Sequence, residues 1–213
     1  MPITRAVPLV LSLAFAAALV TAAPAAAAQD RCAFKGSKTL RQTSKLRLYR
    51  LAAKGDALSD RFYVCVRSNG RRFRADDRRS SEVTMLKGTL TSAGNFAAVA
   101  YTYYANEDAV GLTVVVIDLR TGKQTLHTEN PDEFSTAKVP ALVLGSTGGA
   151  AWIFEETPIS SSEGTRLREV HAARTGGIRK LDEGLDIDAT SLRLSGTTVR
   201  WEKGGAAQSA PLP

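Results

Sequence analysis

Cysteine and histidine are scarce in this chain, which has two of each among its 213 residues. His127 and His171 leave little material for a zinc site or a hydrolytic triad, and neither has a second histidine or a carboxylate at the spacing of helical metal ligands. A P-loop and a dinucleotide-binding fingerprint are also absent from the sequence. We therefore expect no metal and no cofactor, and we expect both histidines to lie on the surface of strands.

Long apolar runs are also rare, and the longest lies near the amino terminus. The apolar stretch 7–20 follows Arg5 and precedes an alanine-rich tail that ends at Ala28. Its 14 residues fall short of the about 20 that a membrane-spanning helix needs. The pattern predicts a signal peptide over residues 1–28 and secretion of a mature chain that has no membrane span.

Both cysteines, Cys32 and Cys65, lie in the predicted mature chain. An even number of cysteines without metal-ligand spacing predicts a disulfide in an oxidising compartment. Without Arg5, the mature chain keeps 27 Lys and Arg against 21 Asp and Glu, a net charge of +6. This balance suits contact with an anionic envelope polymer, but it serves solubility equally well, and composition does not separate the two.

No long stretch of the mature chain shows a helical period, whereas short runs of aromatic and β-branched residues recur. These runs are Arg61–Val66, Phe96–Tyr104, 112–119 and 151–154. Several runs are apolar on both alternating faces, which indicates strands that are covered on both sides by other sheets. Because no linker or charge run divides residues 29–213, we predict a single all-β domain.

Glycine-containing turns recur at a nearly fixed interval. Gly70 and Gly122 are 52 residues apart, and Gly122 and Gly176 are 54 residues apart. Hairpin turns favour glycine because it adopts positive φ without strain. The repeat predicts propeller-like, four-stranded units, which lie near residues 46–75, 86–128, 138–182 and 190–211. Such units would form a four-bladed ring or a partial propeller, whose open sheet edge would favour a homodimer, and a curled β-sandwich is the alternative.

A family resemblance rests on one of these hairpins. The segment 116–119, Val-Ile-Asp-Leu, is followed by Arg-Thr-Gly-Lys at 120–123, and together they resemble the blade hairpin of TolB-type and related secreted β-propeller repeats. The resemblance covers most of residues 46–211. The alanine- and arginine-rich composition is also similar to that of exported actinobacterial proteins. The resemblance implies a propeller-like fold and no particular activity.

The densest acidic group is the main candidate for a binding site. It places four carboxylates within seven residues: Asp182, Glu183, Asp186 and Asp188. Oxygen-rich loops can hold calcium, and a propeller rim can hold acid chemistry, but the spacing does not match an EF-hand. A solvated acidic loop is the simpler interpretation, and we assign no catalytic residue and no metal site.

Two short motifs have structural explanations. Ser135 and Lys138 have the Ser-x-x-Lys spacing of penicillin-recognising enzymes, but they lie in a predicted strand-entry loop rather than at the start of a helix. The glycine-rich segment 145–149 has a threonine where a nucleophile elbow needs a serine, and it fits an inter-strand turn.

Basic and aromatic residues also form groups. The arginines between residues 71 and 79 are interrupted by acids and fit a charged outer edge strand. Tyr101, Trp152 and Trp201 occupy similar positions in the repeat, which favours packing between neighbouring units over a carbohydrate-binding face.

The sequence therefore predicts an exported, propeller-like binding or scaffold protein rather than an enzyme. Its partner would be an extracellular protein or an anionic envelope polymer, and we expect no nucleic acid. A secreted hydrolase that uses the carboxylates of segment 182–188 is one alternative, and it would need an acid with a raised pKa in a concave pocket. A structural, cationic envelope protein is the other. A binding module would instead expose an apolar or aromatic patch.

Overall fold

A computed structural model of the chain describes residues 31–52, 60–76, 88–104, 110–129, 135–158 and 166–213. These residues form 15 β-strands, and no helix occurs among them. The described part of the chain therefore contains no helix of the length and apolarity that crossing a membrane requires. The predicted all-β class is confirmed, whereas the predicted signal peptide, residues 1–28, lies outside the described residues.

The strands form four antiparallel sheets, and within each sheet every strand pairs with the next one along the chain. Sheet 1 contains β1 (Ser37–Gln42), β2 (Leu46–Leu51), β3 (Arg61–Val66) and β4 (Arg72–Arg74). Sheet 2 contains β5 (Gly88–Ala93), β6 (Phe96–Tyr104), β7 (Val110–Asp118) and β8 (Gln124–Glu129). Sheet 3 contains β9 (Ser135–Leu144), β10 (Ala150–Pro158), β11 (Leu167–Ala173) and β12 (Arg179–Gly184). Sheet 4 contains β13 (Arg193–Ser195), β14 (Thr198–Lys203) and β15 (Ala206–Pro211).

Strand β6 shows why several strands are apolar on both faces. Ala97, Val99 and Tyr101 belong to a hydrophobic cluster shared with sheet 1. The intervening Ala98 and Ala100 belong to a second cluster, which is shared with sheet 3. Because successive side chains of a strand point to opposite faces, a strand between two sheets needs apolar residues at every position. The prediction that such strands are covered on both sides is confirmed.

Three hydrophobic clusters join the four sheets into a row. The first lies between sheets 1 and 2, the second between sheets 2 and 3, and the third between sheets 3 and 4. Tyr101, Trp152 and Trp201 lie one in each cluster and are 2%, 0% and 5% exposed. These aromatic residues therefore pack between neighbouring sheets, as the sequence predicts.

The outer faces of the two terminal sheets, sheet 1 and sheet 4, differ in how far they are covered. The outer face of sheet 1 is covered by the segment before β1, where the rings of Phe34 and Tyr49 stack with centroids 5.2 Å apart beside the disulfide. The outer face of sheet 4 is exposed and includes Arg200 and Glu202. Within the described ranges, no hydrophobic cluster joins sheet 4 to sheet 1. The result is a row of four layers, in contrast to the two layers of a β-sandwich.

The repeated turn glycines are not all equivalent. Gly70 and Gly122 have φ values of 75° and 78°, and the amide of each donates to the carbonyl of the residue four positions earlier, at 2.8 and 2.7 Å. This bond closes the hairpin and requires the left-handed conformation that glycine tolerates. Gly176 makes no equivalent bond to Ala172 within the described residues and does not adopt positive φ. The expectation of positive φ is therefore wrong for Gly176.

Candidate functional site

Four hairpin turns converge at one end of sheets 1 and 2. They connect β1 to β2, β3 to β4, β5 to β6, and β7 to β8. These turns lie together because alternate turns of an antiparallel meander are at the same end of a sheet. The turns border an open cleft with a volume of about 800 Å³. We call it the cationic cleft, because its charged lining residues are Arg31, Lys45, Arg67, Arg71 and Arg120.

Among the described residues, the cationic cleft is lined by five cations and by no carboxylate. The adjacent acid is Asp118, whose carboxylate accepts a hydrogen bond from the backbone amide of Arg120 at 2.8 Å and from its guanidinium at 3.2 Å. These bonds from Arg120 lower the pKa of Asp118 to about 2. The side chain of Arg120 is nevertheless 63% exposed. Asp118 therefore stays ionised at neutral pH and offsets part of the charge of Arg120 at the rim of the cleft.

Hydrogen bonds to backbone carbonyls hold the arginines of the cleft in position. The guanidinium of Arg71 donates to the carbonyl of Arg120 at 3.0 Å and lies 5.2 Å above the ring of Phe73. The side-chain oxygen of Asn69 accepts a bond from the amide of Arg71 at 2.9 Å, which fixes the β3–β4 turn. Arg120 lies in the β7–β8 turn of sheet 2, so its hydrogen bond with Arg71 also connects sheet 1 to sheet 2. These contacts restrict the side chain of Arg71 before a ligand binds, which lowers the entropy cost of using it as a binding group.

The disulfide Cys32–Cys65 places Arg31 at the mouth of the cleft. The pairing is confirmed, with Cα atoms 5.9 Å apart and both cysteines fully buried. The guanidinium of Arg31 donates to the carbonyl of Ser68 at 3.0 Å. The buried Arg47 donates to the carbonyl of Cys32 and to Oγ1 of Thr39, the latter at 2.8 Å. The covalent bond and Arg47 together hold the segment before β1 against sheet 1.

The predicted acidic group is held in ion pairs and turns at the junction of sheets 3 and 4. The carboxylate of Asp182 accepts bonds from Nζ of Lys203 at 2.8 Å and from Nε1 of Trp201 at 2.9 Å. Glu183 pairs with Lys180. Burial on its own would raise the pKa of Asp182, but the bonds from Lys203 and Trp201 outweigh it and hold the pKa below its ordinary value.

The other two acids of this group are Asp188 and Asp186. Asp188 accepts bonds from the backbone amide and the hydroxyl of Thr190 at 2.8 and 2.9 Å, and the amide bond lowers its pKa. Asp186 lies exposed in the turn after β12. Within the described residues, no group of three or more His, Cys, Asp or Glu side chains has the geometry of a metal site. Asp182, Glu183 and Asp188 have lowered pKa values, and none has the raised pKa that an acid catalyst needs.

The position of His171 differs from the expectation. Its ring lies in the core of sheet 3, 5% exposed, with its centroid 5.8 Å from that of Trp152 and 6.0 Å from that of Phe154. Nε2 lies 2.7 Å from the carboxylate of Glu169. The prediction of a surface position was wrong because sheet 3 is buried on both faces. The side chain of His127, in β8, lies outside the described residues.

The short motifs have structural positions. Ser135 and Lys138 lie in β9 rather than in a loop, and Nζ of Lys138 lies 2.7 Å from the carboxylate of Glu155. The expected loop was wrong because this segment pairs along its length with β10. The glycine-rich segment 145–149 forms the predicted turn, which is closed by a bond from the amide of Gly145 to the carbonyl of Gly149 at 2.7 Å.

The arginines between residues 71 and 79 divide between three places. Strand β4 is an edge of sheet 1, as predicted, and Arg72 in it lies over the ring of Phe34 with a distance of 5.3 Å to the centroid. Arg74 pairs with Asp76, whereas Arg71 turns into the cationic cleft. Arg78 and Arg79 lie outside the described residues. The edge-strand interpretation therefore omitted the contribution of Arg71 to a pocket.

An exposed apolar patch, which we expect of a binding module, is missing from the described surface. Leu185, at 59% exposure, is the one large hydrophobic side chain exposed in the described ranges.

Comparison with known protein families, with curated proteins and with solved structures gives no match for this chain. The cationic cleft is therefore the main functional candidate among the described residues.

Proposed function

We propose that this chain is an exported, propeller-like binding protein whose cationic cleft holds an anionic ligand. The observation that carries the proposal is the cleft lining, whose described residues include five cations and no carboxylate around about 800 Å³. Concave sites of roughly 300–1,000 Å³ are typical of ligand-binding pockets. A concave site with charges of one sign also concentrates the field and attracts ions of the opposite sign.

The nature of the cations supports an anionic ligand. Four of the five cations are arginines. A guanidinium presents a planar fork of donors that matches the oxygens of phosphate or carboxylate, whereas an ammonium acts as a point charge. This composition agrees with the anionic envelope polymer that the sequence suggests as a partner.

The propeller-like architecture and the export belong to the same proposal. Four small antiparallel sheets, stacked in chain order with a core between each pair, support an open arc of blades. The predicted signal peptide and the disulfide support secretion. Neither feature requires catalysis, and we infer a binding role without an enzymatic one.

The other candidates have less support. The hydrolase would depend on Asp182, Glu183, Asp186 and Asp188, but none of these acids lines the cationic cleft. A homodimer through an open sheet edge would use β15, because sheet 4 has three strands where the other sheets have four. The carbonyl of Pro211 at that edge already accepts a bond from Arg179 at 2.9 Å, and proline has no amide to donate. A structural envelope protein would not need its charges gathered in a cavity.

The proposal predicts that the arginines of the cleft determine polyanion binding. We expect long-chain polyphosphate to bind residues 29–213 in calorimetric titrations, with an affinity that falls as salt rises. The double variant R31A/R71A should bind about ten- to a hundredfold more weakly, because each substitution removes a charged hydrogen-bond donor. The matched control is R193A/R200A, which removes two exposed arginines from sheet 4 and should change binding less than about threefold. Equal losses in both double variants, or none in either, would refute the cleft as the site.

A further inference from the structure

The neutral lining of the cationic cleft restricts the kind of anion that fits. Between the cations lie five small polar side chains: Ser44, Ser68, Asn69, Ser92 and Asn95. Hydroxyl and amide groups both donate and accept hydrogen bonds, whereas a phosphate oxygen only accepts. Acceptors in the lining are useful only if the ligand also carries donors. A ligand that combines negative charge with hydroxyl groups satisfies the whole lining.

The apolar part of the lining is aliphatic. It consists of Leu46, Val66 and Leu119, and no aromatic residue in the described part of the chain lines the cleft. Nucleic-acid bases bind single-strand sites mainly by stacking on aromatic rings, which this lining does not offer. Flat sugar rings gain from the same platforms because they present apolar faces. The lining instead suits the flexible C–H groups of an open carbon chain.

The size of the cleft and the origin of its charges indicate several anionic groups. A volume of about 800 Å³ lies towards the upper end of the roughly 300–1,000 Å³ that ligand pockets span, and it exceeds what one phosphate fills. The cations come from separate segments: Arg31 precedes β1, Lys45 and Arg71 lie in two turns of sheet 1, and Arg120 lies in a turn of sheet 2. Charges that come from four segments can contact successive groups of one chain.

We propose that the cationic cleft binds an acyclic polyol phosphate, a polymer in which phosphodiesters alternate with hydroxyl-bearing carbon chains. This inference rests on the proposed function and goes further by naming the ligand class. Arg31, Arg71 and Arg120 bind the phosphates. Ser92, near the end of β5, and Asn95, in the β5–β6 turn, bind the hydroxyls between the phosphates. The aliphatic floor contacts the carbon chain.

The test compares soluble polymers at matched charge and salt. The probes are polyglycerol phosphate, long-chain polyphosphate, oligothymidylate and polygalacturonate, each titrated into residues 29–213. We expect polyglycerol phosphate to bind at least tenfold more tightly per charge than the other three. The variant S92A/N95A should weaken its binding about five- to tenfold and weaken polyphosphate binding less than about twofold, because polyphosphate offers these side chains acceptors but no hydroxyl donors. The control S195A/S209A, on the outer face of sheet 4, should affect neither polymer.

Three outcomes separate this inference from the proposed function. If all four polymers bind equally and depend on Arg31 and Arg71, the cleft is a general anion site, and the ligand class is wrong. If oligothymidylate or polygalacturonate binds most tightly, or if only phosphatidylglycerol vesicles bind, the ligand class is also wrong while the anion site stands. If no polyanion binds, or if binding ignores the arginines, both proposals fail.

Discussion

Replacing Glu155 with alanine is expected to lower the free energy of unfolding by about 3–5 kcal/mol, because removal of one member of a buried ion pair leaves the other charge buried without a partner. Glu155 is 1% exposed, and the neighbouring strands bring cations directly opposite it. Nε of Arg168 and Nζ of Lys138 lie 2.8 and 2.7 Å from its carboxylate. The side chain of Arg168 is only 20% exposed, whereas that of Lys138 is 55% exposed and can turn to water. Most of the expected loss of stability therefore comes from the guanidinium of Arg168, which would lose its partner.

The pair between Glu155 and Arg168 also connects two sheets. The guanidinium of Arg168 donates to the carbonyl of Ile187 at 2.6 Å, in the segment that leads from sheet 3 to sheet 4. Urea unfolding of E155A measures the loss, and E202A, an exposed glutamate on sheet 4, is the control that should change stability by less than about 0.5 kcal/mol. A loss below about 1 kcal/mol in E155A would show that Arg168 finds another partner and that the buried pair contributes little.

Glu155 also predicts a dependence of stability on pH. Burial on its own would raise its pKa, but the bonds from Lys138 and Arg168 outweigh it and hold the pKa below its ordinary value of 4.5. A carboxyl with a lowered pKa in the folded state contributes stability above its unfolded pKa and loses it as the pH falls through the folded pKa. The stability difference between the wild type and E155Q should therefore shrink as the pH falls below about 4.5. A difference that stays constant down to pH 3 would contradict the lowered pKa.

The strands were predictable where their local sequence carries the signal. Phe96–Tyr104 and Arg61–Val66 coincide with β6 and β3 because β-branched and aromatic residues favour extended backbone. Strand β1, Ser37–Gln42, was missed because it is polar and mostly exposed, and its conformation depends on pairing with β2. The burial of His171 was missed for a related reason. Alternation along β11 shows that neighbouring side chains face opposite ways, but it does not show that both faces of sheet 3 are covered.

The candidate site was not predictable because its residues come from distant parts of the chain. Arg31, Arg71 and Arg120 come together only when sheets 1 and 2 stack and the segment before β1 folds over sheet 1. The acidic segment 182–188 stood out in the sequence because its charges are adjacent along the chain. One cationic partner, Lys180, is only three residues from Glu183, but the other, Lys203, comes from β14, and its pairing with Asp182 becomes visible only when sheets 3 and 4 pack together. The charges of segment 182–188 are close together in the sequence, but they are neutralised in the structure. The charges of the cationic cleft are far apart in the sequence and come together only in the structure.

Removal of the disulfide should affect stability and ligand binding together. The bond closes a loop with a sequence separation of 33 residues, and in the chain-entropy model such a loop contributes about 3–4 kcal/mol. We expect C32A/C65A to lose about this much free energy of unfolding in denaturant titrations. We also expect weaker polyanion binding, because without the disulfide the segment before β1 is free to move and Arg31 loses its hydrogen bond to the carbonyl of Ser68.

The variant R31A separates these two effects. Arg31 is exposed, so its loss should leave the free energy of unfolding within about 0.5 kcal/mol while weakening polyanion binding severalfold. If C32A/C65A binds polyanions as tightly as the wild type, then Arg47 and the stack of Phe34 on Tyr49 are sufficient to hold the segment before β1 in place. If it binds as weakly as R31A, the covalent bond completes the cleft. The same cysteine pair that stabilises the first sheet would then determine the affinity of the binding site, and reduction of this single bond would weaken ligand binding before the rest of the fold is lost.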